Sequence, residues 1–332
     1  MRSSIRYAFL GTVAVATVSL TVVPAVNAAT LTSSSASEPD VVMLGGQSPD
    51  YDATTRAYWT PQRMREAVPL DDVVAPGTRG EGEKSTAAAG PASPPTVILP
   101  AESKSGSGTG ARVETDPYDT RSVGKLFIRQ TNGNVSCTAV AVNGGKSGNL
   151  LATATHCLSP DKGKTENADY VPAYSKGTSP YDSFPVRAYV PTAGWTPGHP
   201  QQHDAAFVVT APSVNGRNPG DIGYQNGLAF NNSPDQRVTV VGYGNKAGDT
   251  EQQYGCVGVR AFRDPSDSTR IAVNCVFGPG ASGGPFFVTD DQGVYNVVTA
   301  VIRGSAGNQT REVGPLFGDS ELQAYNTAVA TS

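Results

Sequence analysis

The run Gly278-Pro-Gly-Ala-Ser-Gly-Gly-Pro-Phe-Phe287 places one serine among small residues that allow the backbone to turn sharply. The glycines at 280, 283 and 284 lack a Cβ atom and therefore permit positive φ values. Such a turn can aim the backbone N–H groups of Gly280 and Ser282 at a developing oxyanion. The run predicts a nucleophile at Ser282, although glycine and serine also build ordinary surface turns.

A second run, Leu150-Leu-Ala-Thr-Ala-Thr-His-Cys-Leu158, is apolar, favours a β-strand and ends on a histidine. A serine nucleophile needs a base that is neutral near physiological pH, and imidazole is the side chain that provides one. A histidine at a strand end is often only packed or solvated. Because this one accompanies the serine run, we predict that His156 accepts the proton of Ser282.

A catalytic imidazole also needs a buried carboxylate that fixes its tautomer and stabilises the imidazolium. Asp204 fits this role best because it leads directly into the apolar run Ala205-Ala-Phe-Val-Val209. Asp161, Asp169 and Asp182 lie in polar sequence rich in Pro and Gly, and we expect them to be solvated. The predicted triad is therefore His156, Asp204 and Ser282.

These segments resemble the chymotrypsin/trypsin-like serine peptidases, among them secreted actinomycete enzymes of the trypsin-like and glutamyl-endopeptidase-like kinds. The resemblance lies in Cys137-Thr-Ala139, in the strand that ends in His-Cys, and in Gly-x-Ser-Gly-Gly-Pro. The order His, Asp, Ser along the chain is also that of this family and differs from subtilisins and α/β-hydrolases. The resemblance implies an all-β fold of two six-stranded β-barrels, with His156 and Asp204 in the first barrel and Ser282 in the second.

Residues 116–332, which we assign to the peptidase domain, also carry an all-β pattern of their own. Short β-like runs alternate with Gly, Asn, Pro and Asp turns, as in sandwiches and barrels. The run Asp319-Ser-Glu-Leu-Gln-Ala-Tyr325 has a cap residue followed by helix formers and predicts a short C-terminal helix. The predicted strands cover residues 125–129, 136–142, 150–155, 205–210, 237–242, 271–276, 285–288 and 294–302.

Residues 1–28 are predicted to be a secretory signal peptide. Arg2 and Arg6 precede an apolar core over residues 8–23, and Val26-Asn-Ala28 offers a small-residue cleavage site. Outside this leader no stretch approaches about 18 uninterrupted apolar residues, the length of a membrane span. We therefore expect a secreted, extracellular protein without a membrane partner.

The chain has four cysteines, which predict two disulfides in an exported protein. Three pairings are possible, and local order favours Cys137 with Cys157 and Cys256 with Cys275. The first pair would bracket the strand that carries the histidine, and the second would pin the loop before the serine. Loops of this length should each add about 2 to 4 kcal/mol of stability.

Residues 29–115 are predicted to be a largely disordered pro-region or linker. Two tracts, Leu31–Pro39 and Ala75–Arg112, are rich in small and polar residues and can bury little apolar surface. Between them, Thr60-Pro61 favours the start of one short helix within residues 51–70. This island could shield the cleft, assist folding or act as an inert spacer.

The exposed tract also predicts where the mature protein begins. Arg112 and Arg121 are candidate cleavage sites before the first strand of the peptidase domain. Animal members of the resembled family switch on when a new N-terminal amine pairs with an aspartate just before the serine, and Ala281 occupies that position here. A pro-region that keeps this zymogen inactive must therefore act by occlusion or through folding.

The substrate pocket departs from the trypsin pattern. The resemblance places the pocket acid of trypsin-like members at Val276, which carries no charge. Arg303 and Gly304 lie where relatives line the pocket, and Arg303 is either a positive pocket group or a solvent-facing residue. Glutamate-specific relatives place a histidine in the second barrel, whereas all three histidines here lie at or before residue 203.

The composition disfavours several other classes of function. A formal net charge of −4 with 16% charged residues gives no basic surface for nucleic acid. His199 and His203 have a helical metal-site spacing, but Gly198-His-Pro200 breaks any helix there. We therefore expect neither a metal nor a cofactor.

The sequence as a whole predicts a monomeric serine endopeptidase that acts on protein or peptide substrates through an acyl-enzyme. Two alternatives keep the same fold. One is a catalytically silent secreted binding protein, and the other is a hydrolase of small esters.

Overall fold

The computed structural model describes residues 39–45, 48–73, 93–100, 120–158, 164–195, 203–223, 225–289, 295–306 and 309–332. The predicted signal peptide, Arg112, Asp161 and His199 lie outside these ranges. Inside them the chain is mostly β-strand with few helices, which confirms the predicted all-β class. No helix in the described part of the chain has both the length and the apolar character needed to cross a membrane.

The elements of the described ranges follow in chain order. The strands are β1 (Val42–Met43), β2 (Val68–Pro69), β3 (Thr96–Ile98), β4 (Val123–Gln130), β5 (Gly133–Val142), β6 (Leu150–Thr153), β7 (Glu166–Pro172), β8 (Phe184–Pro191), β9 (Ala206–Thr210), β10 (Gly227–Phe230), β11 (Arg237–Gly242), β12 (Tyr254–Arg263), β13 (Arg270–Val273), β14 (Pro285–Thr289), β15 (Tyr295–Val301), β16 (Gly304–Ala306) and β17 (Arg311–Pro315). The helices are α1 (Pro49–Tyr58), α2 (Pro61–Glu66), α3 (Leu70–Val73), α4 (Thr155–Leu158), α5 (Pro219–Ile222) and α6 (Asp319–Thr331).

The first sheet closes into a six-stranded antiparallel barrel. Its strands follow the order β4, β5, β6, β9, β8 and β7, and β7 pairs back with β4. Two short strands from the N-terminal part of the chain join it, because β1 pairs with β8 and β2 pairs in parallel with β5.

The barrel strands are buried on both faces, which explains why they read as continuous apolar runs. Successive residues of β9 alternate between two apolar clusters, with Ala206 and Val208 in one and Phe207 and Val209 in the other. The cluster that holds Val208 is built from the first barrel and short flanking segments. The other cluster also takes in side chains of the second sheet and of α6, so it forms the core between the two halves.

The second sheet has the strand order β16, β17, β13, β12, β11, β14, β15, β10 and β3. An isolated bridge between Ala300 and Leu316 links β15 to the residue after β17, so the sheet curls back on itself. The C-terminal helix α6 packs on β8, β9 and β10. It confirms the predicted short helix and extends it to Thr331.

The structure adds order inside the predicted pro-region. Thr60 caps α2 by accepting a hydrogen bond from Arg63 N at 3.2 Å, as its sequence predicts, but a second helix, α1, precedes it. The Ala75–Arg112 tract contains β3, although its composition predicted no regular structure. This strand forms because its backbone pairs with the edge of β10 and Ile98 packs against the core.

Candidate active site

Strand pairing in the first barrel brings His156 next to Asp204. Thr153, the last residue of β6, lies opposite Ala206, the first residue of β9. The histidine in α4 and the aspartate before β9 therefore leave the barrel at the same edge. His156 Nδ1 lies 2.7 Å from Asp204 Oδ2, and the His156 backbone N–H donates to Asp204 Oδ1 at 2.9 Å.

The Asp204 side chain is buried, with 5% of its surface exposed. Burial alone would raise the pKa of this carboxyl, but the charge and hydrogen bonds of His156, together with the Arg303 charge, hold the pKa below its ordinary value. The carboxylate therefore remains ionised and can accept from the imidazole. The hydroxyls of Thr155 and Thr192 both donate to the Ala205 carbonyl, at 2.6 Å and 2.8 Å, and fix the backbone beside it.

The serine run forms the tight turn that its glycines predict. Ser282 lies between β13 and β14 and is 1% exposed. Gly280 and Gly283 have φ values of 95° and 88°, in the region that favours glycine. A Cβ atom on Gly283 would lie 2.0 Å from the Thr138 carbonyl oxygen, so a side chain there has no room.

Thr138 of the first barrel holds the serine turn of the second. Its backbone N–H donates to the Ser282 carbonyl at 2.8 Å. Its hydroxyl donates to the Gly280 carbonyl at 3.0 Å and accepts from the Tyr243 N–H at 3.0 Å. The sequence motif singled out this threonine without giving it a role, and its position between the two halves now supplies one.

The structure contains two disulfides, with the predicted pairing. Cys137 and Cys157 have Cα atoms 6.2 Å apart and join β5 to α4, directly beside His156. Cys256 and Cys275 have Cα atoms 6.6 Å apart and join β12 to the residue that precedes the nucleophile loop. Each bridge therefore braces one segment that carries a predicted triad residue.

The predicted pocket residues have different surroundings. Val276 is buried, with 7% of its surface exposed. The carbonyl of Arg303 accepts from Ser282 Oγ at 3.3 Å, and its Nε lies 3.8 Å from Asp204 Oδ2. The charge of this arginine is thus balanced by the aspartate beside it. Gly304 has a φ of 149° and begins β16.

Glu312, on β17, is a residue of this region that sequence reasoning missed. Its Oε1 accepts from the Phe277 N–H at 2.9 Å, the Gly278 N–H at 3.4 Å and Ser305 Oγ at 3.0 Å. Within the described residues its Oε2 has no hydrogen-bond partner. Burial raises the pKa of this carboxyl to about 7. No local motif marks the residue, because only the pairing of β17 with β13 and β16 brings it here.

Asp71 is the second residue of this region that sequence reasoning did not single out. It lies in α3, far from the triad in the chain, and its side chain is 14% exposed. Its Oδ2 accepts hydrogen bonds from Ser282 Oγ at 3.0 Å and from the Gly280 N–H at 3.2 Å. Its Oδ1 lies 3.7 Å from His156 Nε2.

Three other polar residues named from the sequence lie apart from these contacts. Asp169 was expected to be solvated, but it is fully buried in β7, where the neighbouring strands and α1 cover it. Asp182 accepts from Asn215 Nδ2 at 2.8 Å, in another loop. His203 Nδ1 lies 3.7 Å from Glu321 Oε1, which pairs it with α6.

Comparison with known proteins agrees with this architecture. Residues 137–295 match the family model described as the trypsin-like peptidase domain. No curated protein matches the chain. The solved structure of the protease Anisep from Arthrobacter nicotinovorans is similar at 26% sequence identity and a TM-score of 0.58, over 65% of this chain and 98% of that one.

Two further solved structures share the fold. The thermostable serine protease AL20 from an extremophilic microorganism has 26% identity and a TM-score of 0.58, over 64% of this chain and 99% of its own. A Glu endopeptidase has 18% identity and a TM-score of 0.50, over 63% of this chain and 91% of its own, which is a likeness of fold alone. Residues 137–295 thus match a trypsin-like peptidase domain, and the fold of the chain is similar to that of chymotrypsin-like serine proteases.

Proposed function

We propose that this chain is a secreted serine endopeptidase that hydrolyses peptide bonds through an acyl-enzyme. Ser282 Oγ attacks the scissile carbonyl while His156 Nε2 takes its proton and passes it to the leaving amine. Asp204 orients the imidazole and stabilises its charged form. The backbone N–H groups of Gly280 and Ser282 bind the oxyanion, and water then releases the acyl group by the reverse sequence of proton transfers.

The observation that carries the proposal is the position of one carboxylate, that of Asp71. It accepts from Ser282 and Gly280 and lies 3.7 Å from His156 Nε2, so the nucleophile, an oxyanion donor and the base all face one small volume. The 2.7 Å contact between His156 Nδ1 and Asp204 leaves Nε2 as the imidazole atom directed at this volume. Two disulfides and the predicted signal peptide support export.

The experiment uses protein purified from the culture medium, for which we expect an N-terminus between about residues 112 and 121. A fluorophosphonate probe should label the wild type at Ser282, and Ser282→Ala should abolish labelling. Peptide hydrolysis should fall by a factor on the order of 10³ or more. A folded wild type without labelling would indicate the silent binding protein, and turnover of small esters alone would indicate the ester hydrolase.

We also propose that Glu312 supplies the acidic group of the substrate pocket, in place of the acid absent at Val276, and that a bound lysine or arginine side chain favours its ionised form. It is bonded to two N–H groups of the loop before Ser282, and its second oxygen is buried and unpartnered among the described residues. Glu312→Gln should lower kcat/KM for lysine or arginine substrates at least tenfold more than for phenylalanine substrates. Equal losses for both classes would assign the residue a purely structural role.

A further inference from the structure

A carboxylate from the N-terminal part of the chain occupies the candidate active site. Through one oxygen, Oδ2, Asp71 accepts from Ser282 Oγ at 3.0 Å and from the Gly280 N–H at 3.2 Å. Its other oxygen lies 3.7 Å from His156 Nε2. One side chain thus contacts the nucleophile, an oxyanion donor and the base together.

These contacts are incompatible with the first step of acyl transfer. The carbonyl oxygen of a substrate needs the place that Asp71 Oδ2 takes, because the Gly280 N–H points there. Among the described residues, the single hydroxyl proton of Ser282 has Asp71 Oδ2 at 3.0 Å and the Arg303 carbonyl at 3.3 Å as its acceptors, and not the imidazole. A carboxylate is also a poor electrophile, because its two oxygens share the negative charge. Ser282 is therefore blocked by Asp71, and it does not attack the Asp71 carboxylate.

The backbone next to Asp71 is held against the first barrel. β2 runs parallel to β5, with Pro69 opposite Ser136. Leu70 is fully buried in the apolar cluster that contains the Cys137–Cys157 disulfide. Leu70, the residue before Asp71, is therefore buried like a core residue and holds the backbone so that the Asp71 side chain reaches the site.

A second set of contacts anchors α1 on the barrel, away from the nucleophile. Asp52 is buried and pairs with Arg187 of β8 at 2.6 Å. Trp59, which is 4% exposed, donates its indole N–H to the Asn167 carbonyl at 2.5 Å and packs against Phe127 with ring centroids 5.3 Å apart. None of these residues belongs to the triad, so docking of the segment has support independent of Asp71.

We propose that residues 48–73 are a built-in inhibitor whose Asp71 carboxylate fills the reaction site until the segment leaves. This inference rests on the proposed function, since it names the regulation of the same site. A cut between α3 and β4 is not sufficient for activation, because the contacts of β2, Leu70 and α1 do not depend on that connection. Activation requires the cut segment to dissociate or to be degraded.

The test compares full-length, uncut chains, whose integrity is verified by intact mass. The rate constant for fluorophosphonate labelling at Ser282 reports how often the site is open. Asp71→Ala should raise this rate at least tenfold, and Asp71→Asn, which keeps the size and one acceptor oxygen, should raise it less. Glu66→Ala is the matched control. Glu66 is exposed, so this substitution removes the same charge from the same segment and should leave the labelling rate unchanged.

A remote variant tests docking without touching the site. Asp52→Ala breaks the ion pair with Arg187 and should raise the labelling rate several-fold in the uncut chain. Equal labelling rates for wild type and Asp71→Ala, in chains of equal melting temperature, would overturn the proposed inhibitor. Labelling at Ser282 in that case would still support the proposed serine chemistry. If folded Asp71→Ala and the culture-trimmed wild type are both unlabelled, the proposed function fails and the inhibitor fails with it.

Discussion

Asp204 is a single buried carboxylate that the surrounding residues keep ionised. Its low exposure works against the charge, whereas His156 and Arg303 favour it, and the pKa remains below the ordinary value. The carboxyl therefore stays ionised because these partners are in contact with it. The same two oxygens fix both the ring and the backbone of His156.

Asp204→Asn should lower kcat/KM by a factor on the order of 10³ or more, because an amide does not stabilise the imidazolium and can select the wrong tautomer. Steady-state hydrolysis by the culture-trimmed protein measures this loss. Asp182→Asn is the control, since Asp182 accepts a hydrogen bond from Asn215 and lies outside the proposed triad. A loss of less than tenfold in Asp204→Asn would contradict the assigned role.

At the scale of elements, β5 couples the two halves of the molecule. Thr138, near its middle, bonds to the Gly280 and Ser282 carbonyls and to the Tyr243 N–H. The neighbouring disulfide at Cys137 fixes the strand to α4, which carries the histidine. The relative position of Ser282 and His156, the proposed nucleophile and base, thus depends on one strand.

Thr138→Val should lower the unfolding free energy by about 2 kcal/mol or more, because the Gly280 carbonyl and the Tyr243 N–H lose a buried partner. Fluorophosphonate labelling should slow as the serine turn loosens. Urea unfolding in a Ser282→Ala background measures the stability change without self-digestion.

Thr299→Val provides the control for that experiment. Thr299 is equally buried, but within the described residues its hydroxyl has no hydrogen-bond partner. Its replacement should be neutral or slightly stabilising. If both valine variants behave alike, the hydrogen bonds of Thr138 do not couple the two halves.

At the scale of the whole molecule, each half contains, among the described residues, a buried carboxyl whose pKa is raised. Burial raises the pKa of Asp169, in the first barrel, from 3.8 to about 7. Burial likewise raises the pKa of Glu312, in the second sheet, from 4.5 to about 7. Folding therefore favours the protonated form of both groups, which opposes the usual behaviour of surface carboxyls.

This arrangement predicts a stability that falls as the pH rises through the weakly acidic range. The stabilising contribution of the two protonated groups is complete well below pH 3.8, where both are protonated in the folded and the unfolded state, and it is lost as the pH passes the folded pKa of about 7. From these shifts, Asp169 should contribute about 4 kcal/mol and Glu312 about 3 kcal/mol to the change in unfolding free energy. Asp169→Asn and Glu312→Gln should each flatten the profile.

Urea unfolding between pH 4 and 8, again in the Ser282→Ala background, measures these profiles. Asp235→Asn is the control, because this carboxyl is 58% exposed and its removal should leave the pH dependence unchanged. If the stability of Asp169→Asn and Glu312→Gln changes with pH as steeply as that of the parent protein, other groups are responsible for the pH dependence.

Sequence reasoning found strands that contain a run of apolar or β-branched residues, and it missed several that are short or are interrupted by polar residues or Gly. β9 and β11 were predicted almost to the residue, because each contains a run of apolar or β-branched residues, at positions 206–210 and 238–241. β7 and β12 were missed, since Asn, Asp and Gly interrupt them. Neighbouring strands supply the pairing that makes such segments extended, and a single sequence window does not contain that information.

The sequence by itself determined the all-β class, the favoured disulfide pairing and the predicted triad of His156, Asp204 and Ser282. Each of these depends on residue types within a short run, because glycine turns, apolar strands and cysteine spacing are local properties. Only the tertiary structure decided the positions of Asp71 and Glu312. Neither lies in a recognisable motif, and each reaches the serine loop through the docking of β2 or the pairing of β17. Proximity between residues distant in the chain is a property of the folded molecule. The contact between Asp71 and Ser282 therefore follows from the tertiary structure and not from any local stretch of sequence.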